Sequence, residues 1–332
     1  MKSAKIQLLG IILLGAIAMT PATLHDYEWT LYLSEHSHEG FKNFMANSIF
    51  ELESIGGSDF PVLFLIAVLV LYLLSYLPDL QSPTGRKIFG ILIRFLERRP
   101  NFTAQLIRWR PYLGFMIVAG VCVLVYTVHP TKWLVGRPRP RVVFKGDHPF
   151  SEWYLIGSHF ISQGKYSGSF PSGHTASSFV FMVLAYALAG TSQTRKWKLI
   201  GYGVGIFAFV SAVLMAVSRS MANAHWVTDC VFTIFFDWVI IHCIFHWGYP
   251  LNRLLALQQS QKLTLPNYFE LKLCSNLLLG VIGLLLVGLG LRALVRQEIL
   301  IFASLAIPIG AFLGWWFLKR SYQMGFFNGR VW

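Results

Sequence analysis

The sequence predicts an all-α fold, a polytopic membrane helix bundle with about eight transmembrane helices. Three observations predict it. The 332 residues are 55% hydrophobic and 13% charged, whereas soluble domains carry about a quarter charged residues. Eight apolar stretches are long enough to approach or span a hydrocarbon core, which takes about 20 residues of helix. The formal net charge of +13 falls mainly on alternate connections, as it does in membrane proteins. The same composition excludes a disordered chain, which would lack apolar surface to bury, and disfavours an ordinary soluble enzyme.

In chain order, the charge-free stretches are residues 6–25, 60–78, 111–131, 175–189, 199–218, 225–247, 273–291 and 299–318, with Asp229 and Asp237 the acids inside the sixth. The first follows a basic tail, and Ala16-Ile17-Ala18 resembles a signal-peptidase site. An uncleaved first helix is favoured, because its apolar run can span and the topology then closes.

With the N-terminus inside, the inner segments carry 18 Lys/Arg against 3 acids, and the outer segments 10 against 11. That asymmetry predicts cytoplasmic N- and C-termini. It also removes most of the force of a nucleic-acid-binding reading, the other class a basic chain suggests. Residues 86–99 interleave Ile88, Leu92, Phe95 and Leu96 with Arg86, Lys87, Arg94, Arg98 and Arg99 at helical spacing, a pattern that lies on an anionic inner leaflet. Phe41, Phe44, Met45 and Ile49 form a similar outer segment. Cys122, Cys230, Cys243 and Cys274 show no Cys-x-x-Cys spacing, so they read as small apolar residues, not as a disulfide framework or zinc site.

Three polar clusters interrupt the apolar background, each at a helix end and each on the outer side of the predicted topology. They are Lys132 through Arg137, Arg139 and Arg141; Pro171-Ser172-Gly173-His174; and Ser218-Arg219 followed by His225 and Asp229. Lys132, Arg139 and Arg219 supply three cations, and arginine adds planar donors suited to phosphate oxygens. The glycine beside a helix start lets backbone N–H groups reach an anion, and Ser172 adds a hydroxyl. His225 and Asp229 share a helix face at i,i+4; a carboxylate there can hold one imidazole nitrogen protonated and leave the other free to attack. His174 can serve as acid and base. No carboxylate cluster accompanies these groups, so no metal and no cofactor are expected.

These motifs, Lys132-x6-Arg139-Pro140, Pro171-Ser172-Gly173-His174 and Ser218-Arg219-x5-His225-x3-Asp229, resemble the three-part signature of the type 2 phosphatidic acid phosphatase superfamily, which includes membrane lipid phosphatases and soluble vanadium haloperoxidases. The resemblance covers about residues 60–247 and implies a six-helix phosphatase core plus two C-terminal helices. It further implies His225 as nucleophile through a phosphohistidine, Asp229 as its orienting partner and His174 as leaving-group acid. Lys132, Arg139, Ser172, Gly173 and Arg219 would hold the phosphate. The expected division is residues 1–59, an N-terminal helix and outer amphipathic segment; 60–247, the core; and 248–332, a two-helix extension.

The expectation is therefore a lipid phosphatase in a bacterial inner membrane, acting on a lipid phosphate or pyrophosphate at the periplasmic face, with the bilayer as its environment and no nucleic-acid partner. A lipid phosphotransferase using a non-water acceptor and a non-catalytic lipid-binding or transport protein are the competing classes. Elsewhere, Asp237 is expected to pair with a polar group or to be protonated, with a role in substrate passage as the alternative; His242 and His246 are expected to be interfacial histidines rather than metal ligands, and the Asn101-Phe-Thr103 sequon to go unused on the inner side. Residues 142–170, with Phe144, His148, Phe150, Trp153, Tyr154, His159 and Tyr166, read as a wall or lid over the phosphate or as membrane anchors.

Overall fold

The computed structural model describes residues 2–45, 60–79, 83–155, 168–191, 194–249, 251, 254–255, 258, 269–295 and 300–323. These are overwhelmingly helical and contain no strand, as the all-α bundle requires. Among the described residues, six helices are long and apolar enough to cross a membrane: Ser3–Leu24, Pro100–Lys132, Gly173–Gly190, Arg195–Met221, Val227–Gly248 and Leu300–Gln323. Two shorter apolar helices, Phe60–Leu74 and Ser275–Leu291, coincide with the other two predicted stretches. The chain is membrane-embedded.

Helix α1 (Lys2–Leu24) is apolar on all sides and leaves Ile6, Leu9, Leu13 and Ile17 exposed. A helix of that kind is solvated by lipid. It packs along α12 (Val227–Cys243). The short α2 (Asp26–Glu35) begins with Asp26 and Glu28, where the positive end of the helix dipole favours acids, and crosses α11 (Arg195–Met221). After α3 (Glu39–Asn43), α4 (Phe60–Leu74) packs on α6 (Pro100–Val121). Between those two, α5 (Pro83–Glu97) is the amphipathic element expected from residues 86–99: Ile93 and Leu96 are buried, while Arg86, Lys87 and Arg94 are exposed. Arg110 of α6 closes the end of α4, giving its Nε–H to Ser75 Oγ at 3.1 Å and an Nη2–H to the Ser75 carbonyl.

Helix α6 runs through a π-helical segment, Cys122–Thr127, into α7 (Val128–Val135), and the rod stops at Gly136. Gly136 adopts φ 58°, and its N–H reaches the Lys132 carbonyl at 2.9 Å. This left-handed cap suits glycine, which has no Cβ to clash there, and it turns the chain sharply beside Lys132. A short α8 (Pro140–Val143) follows. The next span is α9 (Gly173–Phe179) with α10 (Met182–Thr191), which packs on α11. The main core lies among α6, α9 to α12 and the π segments Cys122–Thr127 and Ile244–Gly248, with Phe115, Val118, Phe179, Met215 and Ile241 fully buried.

Helices α13 (Phe269–Val295) and α14 (Leu300–Gln323) form a tight pair. A Cβ on Gly310 would lie 2.6 Å from the Gly283 carbonyl oxygen, and one on Gly283 would lie 2.8 Å from that of Gly310. In lipid, helices associate through such small-residue contacts because no hydrophobic drive separates them from solvent tails. Gly310→Leu should therefore part the two helices and lower the thermal midpoint in detergent, at a cost of about 1–3 kcal/mol. Gly203→Leu, where a Cβ meets nothing within 4 Å, should leave it unchanged. Equal effects from the two would overturn the packing argument.

Candidate active site

The three polar clusters meet at one end of the bundle. Lys132 sits in the last turn of α7 and Arg139 is the extended residue before α8. Ser172 caps α9, accepting the Thr175 N–H at 3.4 Å and the Thr175 hydroxyl at 2.9 Å, which leaves its own proton for an acceptor. Its backbone N–H is tied to Thr233 Oγ1 of α12 at 3.0 Å. A Cβ at Gly173 would stand 3.8 Å from Lys132 Nζ, so the lysine ammonium lies against the start of α9. His174 follows, half-buried, in the first turn. Arg219 ends α11, and its carbonyl accepts the N–H groups of Ala224 and His225 at 3.1 and 3.4 Å. Lys132 is thus within electrostatic reach of Arg139, Arg219 and Asp229, and His225 within reach of Lys132 and Arg139. All eight residues selected from the sequence lie in this region.

The loop between α11 and α12 fixes His225. Asn223 takes φ 53°, and its carbonyl accepts the N–H of Arg141, linking the first motif to the third. Trp226, fully buried, donates its indole N–H to the Pro138 carbonyl at 2.8 Å. Asp229 then accepts the Trp226 backbone N–H on Oδ2 at 2.9 Å, closing the first turn of α12. His225 Nδ1 stands 3.6 Å from that same oxygen. This is an approach rather than a formed hydrogen bond, and it leaves Nε2 as the nitrogen directed away from the carboxylate. Burial, and then the Lys132 charge, push the His225 imidazole down to about 3 against the pull of Asp229. The ring is neutral across physiological pH, with a lone pair to use.

Behind the site lies a buried ionic network that the sequence reading did not select. Arg137 has no solvent exposure. Its Nη1–H groups reach Asp229 Oδ1 at 2.7 Å and Thr228 Oγ1 at 2.8 Å, its Nη2–H reaches Asp26 Oδ2 at 2.6 Å, and its Nε–H reaches the Ser151 carbonyl at 2.7 Å. The rings of Trp226 and Phe150 lie 5.2 and 5.5 Å from the guanidinium carbon. Asp26, 1% exposed, also accepts the Thr228 N–H on Oδ1 at 2.9 Å and the Thr228 hydroxyl on Oδ2 at 2.5 Å. Burial pushes the Asp26 carboxyl above its ordinary value and Arg137 opposes the rise. These contacts of its side chain are all with donors, the pattern of a carboxylate.

Several other expectations can be placed. Asp237 is buried, and its Oδ1 accepts the Thr127 hydroxyl at 3.3 Å, so it has the polar partner expected of it. His242 bridges α10, α12 and α1: its Nδ1 meets the Tyr186 hydroxyl and its Nε2 the Ala4 carbonyl, both at 2.9 Å, and its ring lies 4.4 Å from that of His246 at a tilt of 51°. Cys230 and Cys243 are free thiols. In the 142–170 segment, Phe144 and Phe150 pack on Trp226, while Trp153 packs on Phe170 and Phe232 and donates to Thr23 Oγ1 at 3.0 Å. These aromatics anchor the segment to the bundle. His159 and Tyr166 lie outside the described residues.

An all-helical, membrane-embedded bundle that gathers cations, a helix start and a buried histidine at one end is a membrane phosphatase-type fold. Residues 109–253 match the profile of the PAP2 superfamily. Over this segment the chain is similar to members of that superfamily. No curated protein and no solved structure matches it.

Proposed function

We propose that the chain is an integral membrane lipid phosphatase, hydrolysing a lipid phosphate or pyrophosphate through a phosphohistidine on His225 without a metal. The observation that carries this reading is the convergence of Lys132, Arg139 and Arg219 with a neutral, buried His225 and with His174 at one end of the bundle. Lys132, Arg139, Arg219, Ser172 and the Gly173 amide hold the phosphate and take up charge as it grows in the transition state. His225 Nε2 attacks phosphorus, the bond to the lipid oxygen breaks, and protonated His174 gives that oxygen its proton. Water then attacks phosphorus while His174 takes its proton, the P–N bond breaks, and inorganic phosphate leaves. Asp229 stabilises the charge that the imidazole acquires. The excess of Lys/Arg on alternate connections supports a cytoplasmic position for both termini and a periplasmic site in a bacterial inner membrane.

The test is phosphate release by the detergent-purified protein from a panel of phosphatidic acid, phosphatidylglycerophosphate, an isoprenyl pyrophosphate, a sphingoid phosphate and a lipid A-like glycolipid. Turnover should persist in EDTA and be blocked by vanadate, which mimics the five-coordinate phosphorus. Loss of turnover in EDTA would refute the metal-free cage. Transfer of labelled phosphate to a second lipid, with none released to water, would replace the hydrolase by a transferase.

A further inference from the structure

Asp229 faces a conflict. To support His225 it must present net negative charge to Nδ1, yet its other oxygen is held by the Arg137 guanidinium at 2.7 Å. A guanidinium serving Asp229 alone would neutralise it, and inside a protein that cancellation is not screened by water. The fold supplies a second carboxylate. Asp26 of α2 holds the other end of the guanidinium at 2.6 Å, so the buried trio of two carboxylates and one cation keeps a net charge of −1. Asp26 lies outside the segment that matches the superfamily and reaches it from 111 positions before Arg137.

We infer that Asp26 is a positioning residue for the reaction: by sharing Arg137 it keeps Asp229 oriented and negatively charged toward His225. This rests on the phosphohistidine reading above. Asp26 acts through two intermediaries and touches no substrate. Arg137 is a fork that only a planar, five-donor group can provide, since it must meet Asp26, Asp229 and Thr228 at once. Thr228 locks the geometry from α12 by donating to Asp26 while accepting from Arg137. Helix α2 thereby becomes part of the apparatus that sets the nucleophile.

The experiment measures Asp26→Asn, Asp26→Glu and Thr30→Val with wild type and His225→Ala, on whichever panel lipid wild type hydrolyses. Asp26→Asn should lower kcat by about ten- to a hundredfold, the range seen when the outer partner of a metal-bound histidine is lost, with KM within about twofold because the phosphate cage is untouched. Asp26→Glu keeps the charge and should retain kcat within about threefold. Thr30→Val removes the 3.2 Å bond from Val227 N–H to α2 without changing charge, so it should lower the thermal midpoint and leave kcat alone. An Asp26→Asn enzyme with wild-type kcat, or a Thr30→Val enzyme as slow as Asp26→Asn, would overturn the inference. If Asp26→Asn does not fold, Asp26→Glu decides: a kcat loss beyond tenfold at an unchanged midpoint would count against a charge role. An active His225→Ala would instead sink the phosphohistidine reading itself, so the two failures are distinguishable.

Discussion

His225→Ala is expected to fold, bind lipid phosphate and release almost none of it. Loss of an attacking group that works within a catalytic set costs about four orders of magnitude or more in kcat. Each decade corresponds to about 1.4 kcal/mol of barrier. Folding should survive because Nδ1 has no formed hydrogen bond, while Asp229 stays held by Arg137 and the Trp226 N–H. The measurement is phosphate release beside thermal unfolding in detergent, with labelled substrate to trap the intermediate. Wild type should carry acid-labile label on histidine during turnover, and His225→Ala should carry none. Retained turnover in a folded His225→Ala would exclude the mechanism. The depressed basicity of His225 adds a second expectation. The acid limb of kcat/KM should not follow this imidazole, because it is neutral well below physiological pH before substrate arrives.

The spans were legible because a bilayer imposes one length and one polarity on any helix that crosses it, and the motif residues because they interrupt apolar sequence at helix ends. What escaped the sequence was of a different kind. Arg137, Arg139 and Arg141 read as one basic run, yet Arg137 is fully buried, Arg139 is half-buried and Arg141 is exposed. Gly136 turns the chain at that point, and packing by Trp226 and Phe150 then decides which arginine is enclosed. No local pattern carries that information. Asp26 directly follows the first apolar stretch and stands in none of the motifs, and its partners lie 111 and 202 positions away. The π segments Cys122–Thr127 and Ile244–Gly248 were equally silent, since a shift in hydrogen-bond register leaves composition unchanged. Local spacing exposes groups that share a helix face; buried pairings between distant segments require the fold.

Arg137→Met and Arg139→Met, two positions apart, should therefore fail in opposite ways. Removing Arg137 leaves Asp26 and Asp229 buried on either side of an apolar side chain, and an uncompensated buried charge costs about 3–5 kcal/mol. Arg137→Met should show a large fall in thermal midpoint near neutral pH. Without the cation, nothing of opposite charge at that position opposes the rise that burial imposes on the Asp26 carboxyl. Its share of the penalty is complete above that raised value, and it recedes as acid neutralises the carboxyl. The midpoint deficit relative to wild type should accordingly shrink between pH 7.5 and pH 5. Arg139→Met removes a cation from the half-buried phosphate cage and should keep its midpoint while weakening substrate and vanadate binding. A stable Arg137→Met protein with poor vanadate binding, beside an unstable Arg139→Met protein, would reverse the assignment: Arg137 would then hold the phosphate and Arg139 the fold.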